Sequence, residues 1–506
     1  MPESDHDEAI QPLMRSAQET SVVWARLFAR APADNTTLQA RVRETVVHAI
    51  LSGMVPPDAP LPPSRTLARM LGVSRNTVSF ALDALVERGF LDARPRSGIY
   101  VNAGILEAGV RDAHPATVPM PGLRWERRLR LMPSQQRNVI KPFDWELSKY
   151  PYVYGQVDAS LLPVADWREC EQQSLHVRAM RAWSRDHVDR DAEPLVDQIQ
   201  QRLLPARGIW ADRDQILVTA GAQMATYLLA QVLLDRRSAV GVEDPGYPDA
   251  RNAFELRAGR VAALPIDAMG LRLGADLARC EYVYVTPSHQ CPTTVTMPIE
   301  RRRELLDVAE RHDIVLIEDD HESELNFAAR PLPALKSLDV RGRVVYMGSL
   351  SKTLSHGLRI GYVVAAPELI RELRALRRLV MRHPPANNAH AAARFIGQGY
   401  HDAYIRRLNG VLRSRRRALV DAVAEFMPAC AIAEAVGGSA AWVQAPRGVD
   451  SDDLARHAAA VGVLIEPGGV FHAVPPKACR HFRLGYSAIP EAAIREGIRE
   501  LAQVMR

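Results

Sequence analysis

Apolar and polar positions change their period several times along the chain. Up to residue 36 the sequence is polar and mixed, and only SVVWARLFAR shows the spacing of a short helix in an otherwise flexible lead-in. From Leu38, LQARVRETVVHAILSG sets Val42, Val46 and Ile50 on one helical face and stops at Gly53, which suits a helix C-terminus. Prolines in PPDAPLPPSR then interrupt the pattern before two further helices. Leu67, Ala68 and Leu71 make the inward face of the first; Val78, Ala81, Leu82 and Leu85 make that of the second. Ser64 and Ser74 are the expected N-caps, Gly72 allows a tight turn between the helices, and a hairpin is expected to end at SGIYV.

From Val101 to about Asp144 no period is sustained, prolines recur, and Arg124, Arg127, Arg128 and Arg130 cluster, as in a linker. Beyond it, QILVTA, AVGVED, YVYVTP, IVLIEDD, VVYMGS and RIGYVVA alternate with helix-length segments, which predicts a mostly parallel sheet covered on both faces. After about Ala391, helices lead into the alternating pieces AAWVQA and HFRLGYS, a smaller α+β part. The expected partition is a flexible segment over 1–36, a winged helix-turn-helix over 37–102, a linker over 103–146, and an α/β body over 147–506 with a small subdomain from about 391.

The 506 residues, 47% of them hydrophobic, suffice for several cores. A net charge of +5 is mild, so nucleic-acid binding must come from a local surface. Between Arg41 and Arg96, eight arginines face five acids, a modestly basic balance that suits phosphate contacts. No apolar run approaches the roughly eighteen residues of a membrane span, and MPESDHDEAI lacks the features of a secretion signal, so a cytoplasmic protein without a membrane partner is expected. Five scattered cysteines without CxxC spacing imply reduced thiols and no metal.

The densest chemistry lies in GSLSKTLSHGLRIGY. Ser349, Ser351 and Arg359 are what a phosphate wants, and Lys352 among them is an amine able to condense with a carbonyl, which points to pyridoxal phosphate. IVLIEDDHESEL ends an apolar run on Glu318, Asp319 and Asp320, any one of which can pair with a protonated pyridine nitrogen. VEDPGYPDAR offers Tyr247 for stacking. In VTAGAQMATYLL the amides near Gly221, Ala222 and Gln223 form an anion site at a helix N-terminus, and Arg483 in HFRLGYS suits a carboxylate. Singly, each has a plainer reading as a turn, a surface acid cluster or a salt bridge. In the first domain, Arg75, Asn76, Thr77 and Ser79 occupy the first turn of the second helix, where a recognition helix meets the major groove. GxxxxGK[ST] is absent, as is GxGxxG after a strand, so nucleotide-dependent chemistry has no support.

LPPSRTLARMLGVSRNTV and the terminal SGIYV closely resemble the winged helix-turn-helix of the GntR family. The resemblance implies operator DNA as partner, with Arg65 and Arg75 on phosphates or base edges, Asn76 and Thr77 beside them, and Gly98 letting the wing approach the minor groove; Arg96 stands where the family usually has glycine. Over roughly 147–506 the second set of motifs resembles the fold-type I aminotransferases. That likeness implies Lys352 as the Schiff-base lysine, Asp319 as partner of the pyridinium, Tyr247 as stacking ring, Ala222, Gln223, Ser349, Ser351 and Arg359 as phosphate ligands, and Arg483 as the ligand of an effector's acid group.

Both parts in one chain resemble the MocR/GabR-type transcriptional regulators. This implies a head-to-tail homodimer that senses a small amino compound by aldimine exchange at Lys352, the alternatives being an active aminotransferase on a DNA tether or a mere dimerisation scaffold. Several positions depart from the pattern. Cys291 replaces an aromatic, Thr294 a glycine and His321 a tyrosine that contacts the ring oxygen, while His187 and Ala192 stand where tyrosine and glycine are usual. Cys291 and His321 are therefore expected to reshape the cofactor pocket, and the departures argue for sensing over turnover.

Overall fold

The computed structural model describes residues 17–30, 37–56, 58–107, 124–328 and 331–505. The chain divides into two compact units, 1–128 and 129–506. The first holds α1 (Ala17–Arg30), α2 (Leu38–Leu51), α3 (Ser64–Leu71), α4 (Arg75–Glu87) and the antiparallel hairpin β1 (Leu91–Arg94) with β2 (Gly98–Val101). Gly72 takes the left-handed conformation at φ 66°, which turns the chain between α3 and α4. The expected apolar faces are buried together with Leu91 and Val101.

Two expectations change here. Pro63, not Ser64, holds the N-cap position of α3, with no side-chain cap; Ser64 is already helical. Proline serves there because it pre-sets φ and has no N–H to orphan. The helix expected within SVVWARLFAR runs the full length of α1, and its Trp24 is buried among the unit's core residues, so this part of the lead-in is structured. Residues 1–16 and 31–36 of the lead-in, and 108–123 of the linker, lie outside the described residues.

The second unit is built on an eight-stranded sheet. In chain order β3 (Tyr150–Pro151) precedes β4 (Ile216–Thr219), β5 (Ala239–Asp244), β6 (Arg260–Asp267), β7 (Gly270–Leu271), β8 (Tyr282–Val285), β9 (Val315–Asp319), β10 (Val344–Ser349) and β11 (Gly361–Val364). The sheet order is β4-β11-β10-β9-β8-β5-β6-β7, parallel from β10 to β6, with β11 antiparallel to both neighbours and β7 antiparallel to β6. All six predicted runs are strands. Their inner positions are uniformly buried because helices pack on both faces, including Ala222–Leu233 and Pro367–Met381 on one of them.

The C-terminal part adds β12 (Ala431–Ile432), β13 (Ala440–Gln444), β14 (Val463–Leu464), β15 (Glu466–Pro467) and β16 (His481–Gly485). β12-β13-β16-β15 form a second sheet, and β14 pairs with β3. AAWVQA and HFRLGYS thus lie side by side as β13 and β16, with Trp442 opposite Arg483.

Candidate functional site

Parallel register decides where the chemistry gathers. Met347 of β10 lies opposite Asp319 of β9, so the chain leaves both strands at the same edge of the sheet, the edge where ligands are met in such folds. At β4 the chain turns through Gly221, φ 82°, into the helix Ala222–Leu233. Arg359 of the lysine loop covers that turn and donates from Nη2 to the Ala220 carbonyl at 3.0 Å. A Cβ on Gly221 would lie 2.9 Å from that Nη2, so the glycine is what lets the guanidinium approach the helix N-terminus. Ser349 Oγ accepts from the Ser351 amide at 3.1 Å, and the buried Ser351 hydroxyl has no partner.

The three neighbouring acids separate by role. Glu318 accepts from the Leu335 and Lys336 amides, each at 2.7 Å. Asp320 accepts from Arg207 Nε at 2.7 Å, Ser288 Oγ at 2.5 Å and the Tyr346 hydroxyl at 2.8 Å. Burial opposes its charge, yet Arg207 holds its carboxyl below the ordinary range. Both are occupied by structure. Asp319 takes one hydroxyl, from Tyr284 at 2.5 Å on Oδ2, and keeps Oδ1 buried and unpartnered.

Lys352 points its ammonium at the ring of Tyr154, 4.6 Å from the centroid. Burial lowers its pKa; Glu322 opposes that shift and Arg483 adds to it. Gly155 has φ 75°, and a Cβ there would stand 2.7 Å from Lys352 Nζ, so no other residue would leave room for the amine. Arg483, itself buried, stacks its guanidinium 3.9 Å from the centre of the same Tyr154 ring. Its Nε donates to Glu466 Oε2 at 2.7 Å and its Nη1 to Cys291 Sγ at 3.7 Å.

Cys291 packs with Trp442, Phe471 and the half-buried Tyr247, whose hydroxyl donates to Asp249 at 2.9 Å. Burial pushes the Cys291 thiol up to about 11. His321 is half-buried close to the fully enclosed His289. Thr294 and Arg96 of the wing, the positions where the family pattern is expected to have glycine, both sit at φ 63°. Both positions demand the left-handed conformation that glycine adopts without steric cost, which accounts for the usual residue. His187 Nε2 donates to the Ala182 carbonyl at 3.1 Å, while Asp191, four residues on, receives Arg374 at 2.8 Å and Arg377 more closely.

These residues fit pyridoxal phosphate. A buried carboxylate oxygen without a donor, a buried hydroxyl without a partner and an enclosed amine are the complements of its pyridinium, phosphate and aldehyde. Motif reading missed Tyr154, Glu466, Glu322, Tyr284 and Lys141. Lys141 donates to the Tyr154 carbonyl and has Glu466 at 4.0 Å. Of these, only Glu466, an acid closing the apolar run VLIE, carried a signal of the kind that marks Asp319.

In the first unit Arg65, Arg75 and Asn76 are exposed. Ser74 caps α4, its Oγ accepting from the Thr77 amide at 3.1 Å and meeting Thr77 Oγ1 at 2.8 Å. Gly98, φ 120°, opens β2 beside an exposed hairpin tip, where Arg94 pairs with Asp58 at 2.6 Å and lies over Tyr100.

Comparison with known proteins agrees with both halves. The profile of bacterial regulatory proteins of the gntR family matches residues 38–101, and that of aminotransferase class I and II matches 158–501. The HTH-type transcriptional regulator TauR of Rhodobacter capsulatus is 41% identical over 95% of this chain and 99% of its own. The probable rhizopine catabolism regulatory protein MocR of Rhizobium meliloti is 31% identical over 89% of this chain and 90% of its own. Among solved structures, the α-aminoadipate aminotransferase LysN of Thermus thermophilus, complexed with N-(5′-phosphopyridoxyl)-L-leucine, superposes with a TM-score of 0.68 at 27% identity, covering 76% of this chain and 98% of that one. Among the described residues no helix is long and apolar enough to cross a membrane.

Proposed function

We propose that this chain, which belongs to the MocR-type transcriptional regulators built from a gntR-family head and a class I and II aminotransferase body, reads operator DNA with its head and senses a small amino compound through pyridoxal phosphate at Lys352. The observation that carries the sensing half is Asp319 Oδ1, buried and without a donor at the end of β9.

When bound, the cofactor supplies an electrophilic carbon that an amine can attack. The chain's own residues supply the rest. Asp319 would accept the pyridinium N–H while Tyr284 fixes its other oxygen. Tyr247 and Cys291 would wall the ring, and His321 would lie at its polar edge. Ser349, Ser351, Arg359 and the amides of Ala222 and Gln223 would hold the phosphate at a helix N-terminus. Arg483, preset by Glu466 and Tyr154, would meet the acid group of the effector. Exposed Arg65, Arg75 and Asn76 would contact the operator, with Thr77 at the capped turn and Gly98 at the wing. A homodimer fits the apolar side chains left uncovered along 140–147, where Ile140 is 86% and Leu147 85% exposed.

The test is covalent trapping. After incubation with pyridoxal phosphate and reduction with borohydride, peptide mass mapping should find the label on Lys352 and none in Lys352→Ala, and amino compounds should alter operator affinity only in the unsubstituted protein. An equal response in Lys352→Ala would leave the body as a scaffold. Keto acid released over many turnovers would instead favour an enzyme.

A further inference from the structure

Residues 136–141 form a strap across the mouth of the site. Gln136 donates to the Asn252 carbonyl at 3.0 Å, and Arg137 donates to the His472 and Ala473 carbonyls at 3.1 and 2.7 Å. Val139 packs on the Cys291, Trp442 and Phe471 cluster. These contacts fasten the strap without help from Lys141, which nevertheless turns inward toward the Tyr154 carbonyl and Glu466.

We propose that Lys141 is a ligand of the effector: its ammonium closes on the effector's acid group opposite Arg483, so that the ligand adds a tie to the strap, the segment that follows the linker in sequence. This rests on the reading of Lys352 as cofactor anchor. Charge supports it. Glu466 is shared by Lys141 at 4.0 Å and Arg483 at 2.7 Å; with Glu322 and Lys352 also acting on the site, two carboxylates stand against three cations, and an entering monoanion would balance the remainder. An ammonium has three donors, and this one has a single hydrogen-bonded acceptor, the Tyr154 carbonyl. Burial lowers Lys141 to about 8; Glu466 and Glu322 oppose that, Lys352 and Arg483 add to it, and the nearby His356 is kept neutral by its own burial. The group most open to an added anion is therefore the one on the strap.

The test uses stable cofactor adducts, so the natural effector need not be known. N-(5′-phosphopyridoxyl) ω-amino acids with one to four methylenes, and N-(5′-phosphopyridoxyl)-ethylamine as the acid-free control, are titrated into cofactor-free full-length protein, Lys141→Gln and Lys141→Arg. At least one acid-bearing adduct should bind the unsubstituted protein more tightly than the control. Lys141→Gln should lose about tenfold of that preference, Lys141→Arg should keep it, and the control should bind all three alike. The preference should also fall as pH rises through about 8, where Lys141 loses its proton. Hydrogen exchange of residues 136–141 should slow more with the acid-bearing adduct than with the control, and only when residue 141 is cationic. A preference retained by Lys141→Gln, absent at every length, or unaccompanied by slower exchange overturns the proposal. If the unsubstituted protein binds none of the adducts, the cofactor reading itself falls.

Discussion

Asp319 holds one oxygen on the Tyr284 hydroxyl and leaves the other bare in a buried site, so the charge it offers is pre-oriented for one incoming donor. Asp319→Asn should weaken retention of pyridoxal phosphate roughly 10- to 100-fold, the loss of a charge-assisted hydrogen bond in a dry site, read by equilibrium dialysis. His289 makes a different prediction. Its ring is enclosed, neither nitrogen has a partner, and burial holds it down to about 4 from an ordinary 6.5. Below that ordinary value the unfolded chain takes up a proton that the folded chain refuses, so stability should fall between pH about 6.5 and 4, by about 3 kcal/mol in all, and then level off. Urea unfolding across this range should show a shallower decline in His289→Asn. At this scale the sequence was legible where chemistry is local. Lys352, Ser351 and Arg359 share one loop, whereas Lys141 and Tyr154, 13 residues apart, meet Glu466 from the far end of the chain with no spacing to betray them. The choice among Glu318, Asp319 and Asp320 rests on Arg207 and the Leu335 and Lys336 amides, partners that adjacency in the chain does not reveal.

Among the elements, α4 depends on its first turn. Ser74 satisfies the Thr77 amide, so Ser74→Ala should lower the thermal stability of the head by about 1 kcal/mol. Arg75, next to that cap and exposed, should cost about 1 to 3 kcal/mol of operator affinity as Arg75→Ala if it reads a base, measured at matched salt. In the body, the helix Pro367–Met381 is tied to Asp191 by Arg374 and by Arg377, whose side chain is fully buried. Asp191→Ala strands that guanidinium and should destabilise the body by about 3 to 5 kcal/mol in denaturant unfolding. Buried parallel strands were readable because helices on both faces leave them no polar positions to interrupt an apolar run. β6 was not: next to the two-residue edge strand it buries alternate positions, but Ala263 and Pro265 stand at exposed ones, so the sequence shows no alternation and carries a proline that strands usually exclude. Ser64 misled for a related reason, since a serine after proline can cap or enter a helix with equal ease.

For the whole molecule, a homodimer would present two heads, and helix-turn-helix pairs read half-sites on one side of the duplex. Adding about five base pairs between half-sites should weaken binding strongly, and adding about ten should restore it, in gel-shift titrations with the full-length protein. In the chain, the stretch ending at Lys141 is the part of the body that directly follows the linker, so under the proposal above effector binding acts first on the segment next to the head in sequence. With its thiol enclosed and burial pushing it up to about 11, Cys291 should offer peroxides and alkylating agents almost no thiolate to attack. Amine sensing as proposed here should therefore persist through an oxidative burst, when a pocket with an acidic cysteine beside its lysine would be silenced.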